Sequence, residues 1–170
     1  MAYTAADGPP ALDAVHVWTP ASGSAVTLNN KASSPWIKID NIQGWRSLPD
    51  ADDNREPLTV GHGEITYDSR YLGKTLVYEG RAMATFRESM HGRINALVQA
   101  LGASKDEGTM SVTPYTVPGG VAWQYTARVI DFTPNSTWTY GNRYYAYQWG
   151  FQFSLRMSDP YFYQAGTPYL

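Results

Sequence analysis

Seven successive odd-numbered positions near the C-terminus are aromatic or aliphatic: Tyr145, Tyr147, Trp149, Phe151, Phe153, Leu155 and Met157. Between them stand Ala146, Gln148, Gly150, Gln152, Ser154 and Arg156. This strict period of two predicts a strand of about 43 Å, at ~3.3 Å per residue, with one apolar face and one small, polar face. That is longer than ordinary strands, so it either bends at Gly150 or runs past the domain into a neighbour. Asp159-Pro160 ends it. Shorter strands are predicted over Val15–Trp18 and Ala25–Leu28, with Pro20, Ser22, Gly23 and Ser24 as the turn between them. Trp36–Ile42 alternates weakly, placing Ile37 and Ile39 on one face and Trp36, Lys38 and Ile42 on the other. Further strands are expected at Glu64–Tyr67, Lys74–Phe86, Gly108–Thr113 and Val121–Phe132. In the long strand opened by the turn at Gly73, Leu76, Tyr78, Ala82, Ala84 and Phe86 share a face. Val121, Trp123, Tyr125, Ala127 and Val129 do so in the last, which Pro134-Asn135-Ser136 should break.

The pattern switches to a helical period once. Met90, Ile94, Leu97, Val98 and Leu101 form one stripe over Glu88–Leu101, and Gly102 stands where a left-handed C-terminal cap belongs. Gly92 costs about 1 kcal/mol against alanine and either allows close packing or marks a later helix start. From Arg46 to Glu56 no apolar period survives, so a loop or protruding hairpin is expected around residues 46–62. Residues 1–10 read as a flexible arm and residues 11–170 as a single domain. Strands, one helix, then strands again argue against a parallel sheet. The expected class is mainly β (α+β), an antiparallel β-sandwich or open barrel with one packed α-helix.

Composition narrows the function. The 170 residues include no cysteine, which excludes disulfides, thiolate metal sites and cysteine nucleophiles. Thirteen basic and 15 acidic residues give a net charge of −2, unsuited to a nucleic-acid-binding face. Only 16% of residues are charged while 14% are aromatic, which fits either a surface buried against partners or strands that favour Tyr and Trp. No membrane span or export signal is legible, and synthesis in a cytoplasm is expected.

Candidate chemistry is thin. His16, His62 and His91 share no motif, and Gly61-His62-Gly63 is only half a dinucleotide fingerprint. A calcium loop starting at Asp50 would need Gly sixth and Glu twelfth, but Arg55 and Gly61 stand there. Asn135-Ser136-Thr137 is a glycosylation sequon without a secretory route. Asp131 and Asp159 do not have a spacing that supports a glycosidase pair. No catalytic residue, metal or cofactor is expected.

The C-terminal two-thirds carries a familiar order of parts. Tyr71 and Gly73 lead into a strand ending Tyr78-Glu79-Gly80-Arg81. A helix with Met90-His91-x-Arg93-Ile94-x-x-Leu97 follows. The closing strand, Trp149 to Leu155, runs into Ser158-Asp159-Pro160-Tyr161-Phe162-Tyr163. Over about Trp36–Tyr163 this resembles the N-terminal ring-forming domain of siphophage distal tail proteins. The family-like motif residues are Tyr71, Gly73, Gly80, Arg81, Asp159 and Pro160. The resemblance implies a structural virion protein, not an enzyme: a homo-oligomeric, hexameric ring joining the tail tube protein to the tail tip or baseplate proteins. DNA would pass through it without specific binding. Many members carry a second, carbohydrate-binding-like domain, which is expected to be absent because the chain stops at Leu170. A ring needs one patch to meet a different patch on the next copy. Trp138, Tyr140, Tyr144, Tyr161 and Tyr163 are the interface candidates. Asp50, Asp52, Asp53 and Glu56 are candidates for a lumen-facing acidic loop. The rival readings are a carbohydrate-binding β-sandwich and a tail tube protein, with a small β enzyme behind them.

Overall fold

The computed structural model describes residues 12–30, 36–47, 51–52, 55–57, 64–66, 70–71, 73–102, 106–115, 122–140, 147–159 and 161–164. In chain order the elements are β1 (Ala14–Thr19), β2 (Val26–Leu28), β3 (Trp36–Gln43), β4 (Ala51–Asp52), β5 (Arg55–Pro57), β6 (Glu64–Thr66) and β7 (Arg70–Tyr71). There follow β8 (Lys74–Ala84), α1 (Arg87–Gly102), β9 (Gly108–Pro114), β10 (Trp123–Tyr140), β11 (Tyr147–Met157) and β12 (Tyr163–Gln164). The main sheet is antiparallel throughout and open, in the order β2-β1-β9-β10-β11-β8-β3, with β12 beside the start of β10. Among the described residues this is the mainly β, antiparallel fold with one packed helix that the patterning predicts, built on an open sheet. Two short ladders, β4 with β7 and β5 with β6, nest the segment between β3 and β8 as a hairpin.

β10 joins two half-sheets. Its first residues, Trp123 to Ala127, pair with β9, and Arg128 to Tyr140 pair with β11. The halves share one core, in which Trp18, Tyr78, Tyr125, Phe153, Leu76 and Met110 are fully buried. Tyr78 of β8 links them. Its hydroxyl lies 2.7 Å from the Tyr125 hydroxyl and 3.2 Å from His16 Nδ1, so a chain of polar groups crosses from β8 to β10 and β1. Burying such groups is tolerable only because each has a partner. Trp45 packs edge-on against His16 and Tyr125, and the Lys74 ammonium, 5.7 Å above the Phe162 ring, donates to the Trp45 carbonyl.

Several sequence expectations are corrected. Ile42 was placed opposite Ile37 and Ile39, but all three are buried. A bulge between Ile39 and Asn41 inserts Asp40 as an extra residue and returns Ile42 to the inner face, opposite Tyr78. Phe86 does not extend the apolar face of β8. Its carbonyl accepts the Met90 amide as the helix opens, and its ring is 66% exposed. The buried stripe of α1 is Met90, Leu97, Ala100 and Leu101, with Ile94 half-buried beside it, whereas Val98 is exposed. Gly102 shows no left-handed conformation and is the last helical residue. The C-terminal partner is instead the Trp18 indole, which donates to the carbonyl of Ala100 at 3.0 Å, one of the four that the helix cannot satisfy itself.

Pro134 does not break β10. It pairs with Phe151 inside the ladder, where the strand has left β9 behind. A proline on a strand with a neighbour on one side only leaves no ladder bond unmade on the other. Gly92 neither packs closely nor delays the helix: α1 starts at Arg87, and a methyl group at Gly92 would meet open space. Gly92→Ala is therefore expected to stabilise the protein by about 1 kcal/mol in urea unfolding. A neutral or negative change would show that the position needs glycine's backbone freedom.

Candidate functional site

Among the described residues, the second half-sheet, β10-β11-β8-β3, has no strand paired along the outer side of β3 or along β10 beyond Ala127. Beyond Ala127, no described strand pairs with β10 on the side that β9 occupies earlier. The free edge runs from Arg128 to Tyr140. At its start Ile130 is the extra residue of a bulge and is 54% exposed. β3 is the opposite edge. Just after β2, the Asn29 amide donates to the Ile37 carbonyl of this strand. Unpaired strand edges template further pairing unless they are interrupted. Both edges carry interruptions: the bulge at Asp40 in β3, and in β10 the bulge at Ile130, Pro134 and a second register shift between Asn135 and Trp138. A partner strand must match those irregularities, which favours a specific partner over indiscriminate pairing.

The two faces of this half-sheet differ. The inner face, with Trp149, Phe151, Phe153, Leu155 and Met157 from β11, is buried. The outer face carries Gln148, Gly150, Gln152, Ser154 and Arg156 from β11, with Glu79 and Arg81 from β8 and Lys38 and Asn41 from β3 in register beside them. Polar side chains tie these strands together across the face. Glu79 accepts from Asn41 at 3.2 Å and from Gln43 at 2.7 Å. Arg81 is gripped by Asp40 through two parallel bonds, Nε to Oδ2 at 2.8 Å and Nη2 to Oδ1 at 2.9 Å, and its third nitrogen donates to Gln148. Lys38 lies 3.4 Å from the same Asp40 carboxylate. The Asp40 hydrogen bond, more than its charge, raises the Arg81 guanidinium pKa further. Pairs this exposed contribute at most about 1 kcal/mol to stability. Their main consequence is for the surface chemistry of the face.

The motif residues serve the fold. Gly73 has φ of +91° and abuts the Met157 carbonyl, and Gly80 leaves room for the Phe151 ring, which would stand 2.9 Å from an added methyl group. Asp159 accepts the Tyr161 amide at 3.1 Å and the Tyr163 hydroxyl, and so turns the chain from β11 into β12. Hydrogen bonding to Asp159 raises the Tyr163 phenol pKa. Tyr163 is half-buried and Tyr161 is 54% exposed. Trp138 and Tyr140 belong to β10, paired with Trp149 and Tyr147. Tyr71 and Asp52 sit in the β4–β7 and Glu56 in the β5–β6 ladder. Asp50, Asp53, Tyr144 and Pro160 lie outside the described residues.

Sequence reasoning missed Asp40 and Ile130. Asp40 had a readable signal, since the apolar spacing of Ile37, Ile39 and Ile42 changes from two to three as a bulge requires. Ile130 had none, because only pairing with β11 reveals the extra residue.

The described residues offer little to a small ligand. No group of three or more possible metal ligands comes together among them. No described helix is long and apolar enough to cross a membrane. An open groove of about 450 Å³ lies where Gly150 lacks a side chain, between Asp40 and Thr133. Asp131 accepts from Thr133 while Asp159 holds the β12 turn, so the two carboxylates serve separate local structures. The four tryptophans with described side chains, Trp18, Trp45, Trp123 and Trp149, are all buried, and none forms a platform for a sugar.

No family model and no curated protein matches the sequence. Solved structures match in fold. The crystal structure of the Dit protein of phage SPP1, described as a paradigm of the hub adsorption apparatus in phages that infect Gram-positive hosts, gives a TM-score of 0.58. The identity is 12%, over 89% of this chain and 52% of that one. The baseplate of phage P2 in its activated conformation with calcium also gives 0.58, at 8% identity, over 86% of this chain and 44% of the matched chain. The chain thus spans about half the length of the structures it matches. The shared feature at such identities is the fold, and these neighbours are a phage hub protein and a phage baseplate.

Proposed function

We propose that the chain is a structural, non-enzymatic component of a phage tail end. In this reading it forms a homo-oligomeric ring, six copies around, between the tail tube protein and the tail tip or baseplate proteins. The carrying observation is the half-sheet with two open edges. Edge β10 of one copy, beside which no described strand lies beyond Ala127, would pair with edge β3 of the next, the heterologous contact that closes a ring. The inner face of the half-sheet is already covered by the other half-sheet and α1. The polar outer face is then the one left to line the channel, where DNA passes without specific binding. Trp138 and Tyr140, at the end of β10, and Tyr144, Tyr161 and Tyr163 are the contact candidates. Asp50, Asp52, Asp53 and Glu56 are the candidates for negative charge facing the passage. The protein is made in the host cytoplasm and ends in the virion.

Light scattering on the purified protein tests this directly. A particle of about six times the 18.9 kDa protomer, or its double, is expected. A monomer at every concentration, with no rings in electron micrographs, would overturn the reading, and rings stacking into long tubes would point to a main tube protein. Ile130→Lys tests the edge. The residue is exposed, so the thermal midpoint should hold. Burying an unpaired ammonium in the new contact should raise the concentration for half-assembly at least about tenfold, the equivalent of about 1.4 kcal/mol. Unchanged assembly would remove the β10 edge from the interface.

A further inference from the structure

We propose that Asp40 keeps the outer face of the half-sheet from adhering to nucleic acid by occupying the phosphate-binding fork of Arg81 and neutralising Lys38. The inference rests on the channel reading above and names the residue that makes the channel wall non-adhesive.

The wall is not short of cations. Lys38 and Arg81 lie side by side in register at one end of the face, and Arg128 and Arg156 face each other at the other end. Guanidinium groups bind phosphate through paired, parallel hydrogen bonds, and a flat polar surface lets a duplex approach them. Arg81 holds its fork in that geometry, but the carboxylate of Asp40 fills both positions at 2.8 and 2.9 Å. The same carboxylate is 3.4 Å from the Lys38 ammonium, so one residue restrains two cations whose side chains are 41% and 42% exposed. At the other end Arg156 donates to Thr75 at 2.9 Å. Glu79 is taken up by Asn41 and Gln43 and is not the partner of Arg81. Asp40 stands two residues beyond Lys38 on the same outer face, and as the extra residue of the β3 bulge it has no cross-strand partner of its own.

Asp40→Asn tests this, since the change is isosteric on an exposed position and removes only the charge. Binding of a short labelled DNA duplex is measured by anisotropy over a range of salt. The variant is expected to bind at least about tenfold more tightly than the unaltered protein at low salt, and each freed cation should add about 0.9 to the slope of log affinity against log salt. Arg81→Gln and Lys38→Gln added to Asp40→Asn should return binding to the starting level. Equal binding by Asp40→Asn and the unaltered protein would overturn the proposal. So would a gain that survives removal of Arg81 and Lys38. Particle mass read on the same samples judges the ring separately. A hexamer with no gain in Asp40→Asn discards the role of Asp40 and keeps the ring, whereas a monomer with the gain discards the ring and keeps the charge restraint.

Discussion

Gly73→Ala is expected to destabilise the protein by about 2–5 kcal/mol. A left-handed backbone costs a side-chain-bearing residue roughly 1–2 kcal/mol, and forcing atoms into filled space typically adds about 1–3. Both apply here. Gly73 has φ of +91°, and an added methyl group would fall inside the van der Waals envelope of the Met157 carbonyl oxygen. That oxygen belongs to backbone and cannot swing aside. Gly73 immediately precedes β8, whose first residue, Lys74, pairs with Met157 at the end of β11. Any relief must shift the ladder between the two central strands, or the Lys74 bond to the Trp45 carbonyl. Urea unfolding reads the loss as a lower midpoint with the slope unchanged. A loss below about 1 kcal/mol would mean that the β8–β11 junction yields more easily than its packing implies.

Loss of the buried Tyr78 hydroxyl is expected to cost about 1–3 kcal/mol at neutral pH, because Tyr78→Phe leaves the Tyr125 hydroxyl buried without its partner. The double variant Tyr78→Phe, Tyr125→Phe should cost less than the two single changes summed, since no orphan then remains between those positions. The same pair dictates an alkaline limit. Burial raises the pKa of both phenols, and each stands well above its ordinary value of 10.0. The folded form therefore keeps protons that the unfolded form releases. The resulting stability is fully present below about pH 10 and drains away above it, at about 1.4 kcal/mol per pH unit for each phenol. Unfolding free energy against pH should be level up to about pH 10 and then fall. The fall in Tyr78→Phe should be about half as steep. Parallel curves for the two proteins would mean that these phenols do not set the alkaline limit.

The legibility of the fold varied with how each contact is specified. β11, β8 and β9 were readable because a strand buried on one face must alternate, and a period of two over many residues has no other reading. The helix was readable for the same reason at a period of 3.6, although its buried stripe turned toward Ala100 once Trp18 supplied a partner across the core. β10 was misread at Pro134. A proline ends a strand only if its missing amide is needed, and that depends on which neighbours the strand has. The groups now central to the candidate site were the least legible. Ile130 and Asp40 are the extra residues of bulges, which are defined by pairing with another strand and leave at most a change of apolar spacing in their own.

By itself the sequence determined the antiparallel, mainly β class, the helix α1 and the apolar face of β11. These follow from local periodicity and residue chemistry, which the chain carries along its length. Only the tertiary structure decided that β10 spans two half-sheets, that one of them ends in two open edges, and that Asp40 lies across Arg81. Those facts depend on register between strands far apart in sequence. Register is set by the packing of the whole core, and moving it by one residue sends every side chain of a strand to the opposite face.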